Sequence, residues 1–176
     1  MNRGILTAAV FIFILAACAG REQKQEASLA PYQQQVKQER YDSLPDTLAY
    51  RLADFAIQYP KNANSPDYLF AAAALFERQG KWYRSAEVFD KFSQLFPEHK
   101  RQERALLAGA HNYVESGNTK KGKALYEAFL KKFPNSPLAN DVRLLLPDID
   151  LSPEQLLEKI LERARQDSLS KVPAHP

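Results

Sequence analysis

Residues 66–97 read PDYLFAAAALFERQGKWYRSAEVFDKFSQLFP, and residues 103–134 read ERALLAGAHNYVESGNTKKGKALYEAFLKKFP. Laid one on the other, they keep step at an offset of 37 residues. Phe96-Pro97 falls on Phe133-Pro134, Phe92 on Phe129, Gly80 on Gly117, Ala71 on Ala108 and Ala73 on Ala110. One step earlier, Tyr59-Pro60 and Phe55 keep the same spacing. Self-similarity at a fixed period of about 20–50 residues marks stacked units, each too small to bury its apolar face alone.

Each unit reads as a pair of helices. Ser65-Pro66 opens the first, as cap and first-turn proline. Leu69, Ala72, Ala73 and Phe76 follow at helical spacing, and Gly80 ends the helix where a left-handed residue is needed. The second helix runs from about Trp82 to Leu95, with Ser85, Val88, Phe89, Phe92 and Leu95 inward, and Pro97 stops it. In the next unit Leu106, Gly109, Ala110 and Tyr113 face inward before Gly117. Gly122, Leu125, Tyr126, Phe129 and Phe133 face inward before Pro134. The small residues Ala72-Ala73, Gly109-Ala110, Ser85 and Gly122 let helix backbones approach closely, with aromatic rings filling the space around them.

This spacing resembles the tetratricopeptide repeat, whose pattern is W-x2-L-G-x2-Y, A-x3-F, P. Here it reads Leu69-x2-Ala72-Ala73-x2-Phe76, Ser85-x3-Phe89, Pro97, then Leu106-x2-Gly109-Ala110-x2-Tyr113, Gly122-x3-Tyr126, Pro134. The period exceeds the family's usual length of about 34, and the extra residues fit the link after each proline. The longer links and the ending Phe133 to Ala139 look like the envelope branch of the family, BamD-like and CpoB-like. The resemblance covers roughly Leu44 to Leu146 and implies an all-α fold, a short solenoid of antiparallel helix pairs.

Flanking helices extend the stack. Ser43-Leu44-Pro45-Asp46 opens one running to about Gln58, with Leu48, Leu52, Phe55 and Ala56 inward. Ser136-Pro137 opens another, ending before Pro147. Ser152-Pro153-Glu154-Gln155 is a capping box, and its helix, to about Gln166, carries Leu156, Leu157, Ile160 and Leu161. A stack leaves its last apolar face bare, so this helix is expected to cap it. Residues 167–176 read as a loose tail. Residues 18–42, rich in Gln, Glu, Lys and Arg, read as a polar tether, disordered or weakly helical.

The amino terminus supplies an address. Arg3 precedes an apolar run from Ile5 to Leu15 broken only by Thr7, then Ala16, Ala17 and Cys18. A charged start, a short apolar stretch and small residues before a cut site make a secretory signal over 1–17. The run is shorter than the roughly 20 apolar residues a membrane span needs. Leu15-Ala16-Ala17-Cys18 resembles the lipobox of bacterial lipoproteins, which implies cleavage before Cys18 and acylation of its thiol. Cys18 is the only cysteine, so it belongs to no internal disulfide framework. Two or three acyl chains hold firmly where one holds marginally. Ala19 stands where an Asp retains lipoproteins at the inner membrane of diderm bacteria. The resemblance therefore implies an outer-membrane anchor facing the periplasm, with the inner membrane as the alternative.

Composition and motifs restrict the chemistry. The formal net charge is +3, and no basic block points to nucleic acid. Lys120-Lys121-x-Lys123 and Lys131-Lys132 read as solvated helix faces. His99, His111 and His175 have no mutual metal-ligand spacing, so no metal or cofactor is expected. No G-x-S-x-G, H-E-x-x-H or phosphate loop appears, and no catalytic residue is assigned. The expectation is a non-enzyme.

In tetratricopeptide folds the first helix of each pair lines a concave groove. The resemblance, carried over by register, implies a groove showing Asp67, Phe70, Ala74 and Glu77, then Arg104, Leu107, His111 and Val114, then Asp141 and Leu144. This mixture of charge, aromatic and aliphatic groups suits a peptide or a partner helix. The alternative is that Phe70, Leu107 and Val114 are packed under flanking helices. The expected function is a lipid-anchored scaffold or adaptor holding another envelope protein, in outer-membrane assembly or maintenance. The alternatives are a cell-wall, division or pilus-assembly accessory lipoprotein, and more remotely an enzyme or ligand-binding protein with an unrecognised site.

Overall fold

The computed structural model describes residues 19–170. The expected signal peptide, the expected lipidation site Cys18, His175 and the end of the tail lie outside the described residues. The described chain is helical throughout, with no strand. Helix α1 covers 19–29, followed by α2 (Gln33–Lys37), α3 (Leu48–Gln58), α4 (Ser65–Arg78), α5 (Trp82–Leu95), α6 (Gln102–Glu115), α7 (Thr119–Lys132), α8 (Ala139–Leu145) and α9 (Pro153–Ser170). Single 3-10 turns lie at Ala30–Tyr32, Tyr41–Ser43 and Leu146–Asp148. From α3 to α7 each helix packs on its neighbours in the chain.

The period of the sequence recurs in the backbone. The Phe96 N–H donates to the Phe92 carbonyl at 2.9 Å, and Phe133 donates to Phe129 at 2.7 Å. Gly80 and Gly117 both take positive φ, 67° and 81°. The next N–H then reaches back into the helix, Lys81 to Phe76 at 2.9 Å and Asn118 to Tyr113 at 2.8 Å. This closure satisfies carbonyls that a helix end leaves bare, and it needs a residue without a Cβ penalty.

The close approaches fall where the small residues stand. A Cβ on Gly122 would lie 2.6 Å from Val114 Cγ2 and 2.8 Å from the Ala110 carbonyl oxygen. At the equivalent place one unit earlier, the Ser85 hydroxyl donates to the Ala73 carbonyl at 2.8 Å. Phe55, Phe70, Phe76, Phe89 and Phe92 are buried with Leu48, Leu52 and Leu69 in one core. Leu106, Ala110, Tyr126, Phe129, Ala139, Val142 and Ile149 form a second.

Several boundaries differ from the expectation. Ser65 is the first helical residue and not the cap; Asn64 precedes it without a side-chain cap, and the Ser65 hydroxyl donates to the Tyr59 carbonyl at 2.7 Å. Helix α3 starts at Leu48, because Tyr41–Ser43 forms its own turn ahead of Pro45. Helix α9 extends to Ser170, four residues past the expected Gln166.

Two larger expectations are overturned. Residues 19–42 are not a disordered or weakly helical tether. They are helical over 19–29 and 33–37, and Leu29 and Val36 are buried at 2% and 0% exposure. Polar contacts hold α1 to the α3–α4 turn: Asn62 Nδ2 donates to Glu22 and Glu26, and Asn64 Nδ2 donates to Glu26 at 2.7 Å. Nor does α9 cap the stack. Leu156, Leu157, Ile160 and Leu161 remain 40–57% exposed. The end of the second core is closed instead by the turn after α8, where Ile149 is buried and Leu146 packs against the cluster. The capping box itself forms: the Gln155 N–H donates to Ser152 Oγ at 3.3 Å, and the Ser152 N–H donates to Gln155 Oε1 at 2.8 Å.

Candidate functional site

The expected groove residues sit on α4, α6 and α8, and they divide into two regions. The first is filled by the chain itself. After α2 the backbone turns at Glu39, which takes φ 54°, the only positive φ of a non-glycine among the described residues. That turn brings Glu39 onto two arginines at the start of α6. Arg101 Nε donates to Glu39 Oε1 at 2.9 Å, and Arg104 NH1 donates to Glu39 Oε2 at 2.7 Å. Arg101 also donates to the Asp67 carboxylate. Both guanidinium groups lie over the Phe70 ring, at 5.2 and 5.0 Å from its centroid, where its negative face attracts cations.

Electrostatics favour the charged forms. The hydrogen bond from Arg104 holds the Glu39 carboxyl below the usual carboxylate range, against the opposing effect of burial. Burial works to discharge Arg101, but its bonds to Asp67 and Glu39 prevail and raise its pKa. Arg101 is 8% exposed, so its charge depends on those two carboxylates. Tyr41 closes this region; burial pushes its phenol up to about 12, and its hydroxyl has no hydrogen-bond partner. His99, stacked edge-on against Phe92, accepts from the Arg101 N–H through Nδ1 at 3.2 Å. Burial lowers its pKa, and the neighbouring Arg101 charge adds to the effect.

The second region is open. Leu107, Ala108 and His111 from α6 face Asp141, Val142 and Leu145 from α8 and Leu138 ahead of it, with Tyr126 at the floor. They enclose a cleft of about 380 Å³. Its walls are largely apolar, with His111 and Asp141 as its polar points, a mixture that suits a side chain or short helix of a partner.

Of the expected residues, the structure joins Asp67, Phe70 and Arg104 in the filled region and Leu107, His111 and Asp141 in the cleft. Phe70 is buried, as the packed alternative had it. Glu77 and Ala74 are half-buried farther along α4. Leu144 is 69% exposed and does not line the cleft. Sequence reasoning missed Glu39, Tyr41 and Arg101. Arg101 lies in the link after Pro97, outside the repeat pattern, and Glu39 lies in a segment whose composition resembles a linker.

Elsewhere, α1 and α3 enclose a second cleft, lined by Gln25, Ser28, Arg51 and Asp54 with Leu29 and Phe55. Among the described residues no group of three His, Cys, Asp or Glu side chains is placed to hold a metal ion. No described helix is long and apolar enough to cross a membrane. A scan against protein-family models finds no match, and a search of curated proteins finds no relative.

Proposed function

We propose that this chain is a lipid-anchored scaffold or adaptor of the tetratricopeptide type that holds another envelope protein on the face of α4, α6 and α8. The observation that carries the reading is the pairing on that face: one region already holds a turn of the chain's own amino-terminal segment through Glu39, and the adjoining cleft stands open. A surface that binds its own chain through side-chain carboxylates and aromatic contacts has the chemistry to bind another. The helix pairs, the glycine closures and the 37-residue spacing support the tetratricopeptide reading. The lipobox-like Leu15-Ala16-Ala17-Cys18 supports the anchor. Outer-membrane assembly or maintenance is the role proposed for it, without catalysis.

The packed amino-terminal segment changes the anchor's geometry. The chain is helical from residue 19 and buried at Leu29, so a lipid on Cys18 would hold the domain close against the bilayer, not on a long leash.

Affinity purification from solubilised membranes, with mass spectrometry, tests the reading. Wild-type protein is expected to recover outer-membrane assembly subunits, and Leu107→Glu, which puts a charge on the cleft wall, is expected to lose them. Recovery of division, wall or pilus proteins would move the assignment to the accessory class. Equal recovery by the variant would remove the cleft from the account. Cys18→Ser is expected to move the protein out of the membrane fraction; a variant that stayed there would end the anchor argument.

A further inference from the structure

The segment that fills the first region is held differently from the helices around it. Residues 33–43 contribute a five-residue helix and one 3-10 turn, with Val36 buried and Tyr41 half-buried against the core. Their grip on α6 is largely ionic, through the single carboxylate of Glu39. The grip carries two costs. A side chain in the left-handed region crowds its own carbonyl, and Glu39 sits there. A buried polar group without a partner forfeits its bonds to water, and the Tyr41 hydroxyl is one.

Lifting the segment away would leave a defined site. Arg101 would keep Asp67 and Arg104 would lose Glu39, two positive charges against one negative, with both guanidinium groups still over the Phe70 ring. Such a site attracts a carboxylate, which accepts from arginine with strong, geometrically specific bonds. On the same helix α6, Leu107 and His111 continue into the open cleft. The occupant already present defines what fits: an apolar residue, a glutamate three positions on, and an aromatic two after that, as in Val36, Glu39 and Tyr41.

We propose that residues 33–43 are an exchangeable internal ligand, and that the Arg101–Arg104 site they cover receives an acidic partner peptide of the same pattern when they are displaced. The proposal rests on the reading of this face as a binding surface. It makes the amino-terminal segment a gate: partner binding requires the segment to leave, so the apparent affinity falls by the fraction of molecules in which the site is open.

The test uses the full chain in detergent and a fluorescent synthetic peptide of residues 33–43. Val36→Asp, which removes the segment's apolar foothold, is expected to bind the peptide saturably, at least tenfold more tightly than wild type. Changing Glu39 to Gln within the peptide is expected to weaken that binding at least tenfold. A variant that melts as cooperatively as wild type yet binds no peptide overturns the proposal. Should Val36→Asp fail to fold, hydrogen exchange of the wild type decides. Amides of 33–43 are expected to exchange by local opening, faster than those of α4 to α7, and exchange only together with those helices overturns the proposal. Peptide exchange without any membrane partner would keep the gate and sink the proposed envelope role. A partner held through Leu107, with affinity unchanged by Val36→Asp, would keep the role and sink the gate.

Discussion

Ser85 sits where two units of the stack meet. Its hydroxyl donates to the Ala73 carbonyl and accepts from Asn112 Nδ2, both at 2.8 Å and both buried. The equivalent positions elsewhere are Gly122 in place of Ser85 and Leu75 in place of Asn112, so this polar contact belongs to one junction and not to the repeat. Ser85→Ala strands the Asn112 amide, whose Oδ1 already lacks a partner, and is expected to cost about 1–3 kcal/mol. Ser85→Ala with Asn112→Leu removes both polar partners together, leaving no stranded amide, and is expected to recover most of that loss, as read by thermal or urea unfolding. Equal losses in the single and double variants would contradict this. The repeat showed that position 85 had to be small, since a carbonyl approaches there; which small residue, and its amide partner, depends on contacts between units that spacing does not encode.

The Glu39 contact is testable by pH. Its carboxyl titrates below its ordinary value of 4.5 in the folded chain, so the folded state binds fewer protons than the unfolded one there. The stability it contributes is full above about pH 4.5 and is lost as pH falls through the lower folded value. The charged neighbours are Arg101, Arg104 and Asp67, with Tyr41 and His99 close by; the tyrosine does not titrate in this range. Acidification below pH 4.5 is expected to lower the hydrogen-exchange protection of residues 33–43, measured relative to the intrinsic amide rate at each pH. Glu39→Gln is expected to remove that pH dependence.

At the scale of elements, α9 shows what an amphipathic pattern leaves open. Its start was legible, because a capping box is a local device: Ser152 and Gln155 bond each other's backbone whatever lies nearby. Its destination was not. Leu156, Leu157, Ile160 and Leu161 state that one face is apolar, and the same stripe serves a cap or an exposed helix. The deciding element was the 3-10 turn Leu146–Asp148, which lets Ile149 close the core seven residues earlier than Leu156. Removal of residues 153–176 is therefore expected to change the stability of the stack by less than about 0.5 kcal/mol, the range of surface changes. A loss of several kcal/mol on unfolding would mean that α9 packs on the stack after all. The amino-terminal segment gave the opposite surprise. Its polar composition hid Leu29 and Val36, two isolated apolar residues with no run to announce them, and each is fully enclosed by α3 and α4 neighbours in the core.

Across the whole molecule, the helix pairs from α4 to α7 were legible because each boundary has a local cause, in Gly80, Pro97, Gly117 and Pro134. The face of α4, α6 and α8 was legible only by register, which put Leu107, His111 and Asp141 together but could not show that Glu39, 62 residues upstream of Arg101, lies against part of it. Charge pairing between distant residues leaves no periodic trace. On the proposed function, this face, and not the opposite one formed by α5 and α7, meets the partner. A photo-crosslinking amino acid placed in living cells at His111 in the cleft, and separately at exposed Glu127 on α7, tests that claim most directly. One envelope protein is expected to be joined at position 111 and none at position 127. Crosslinking at 127 alone, or the same products at both positions, would contradict it.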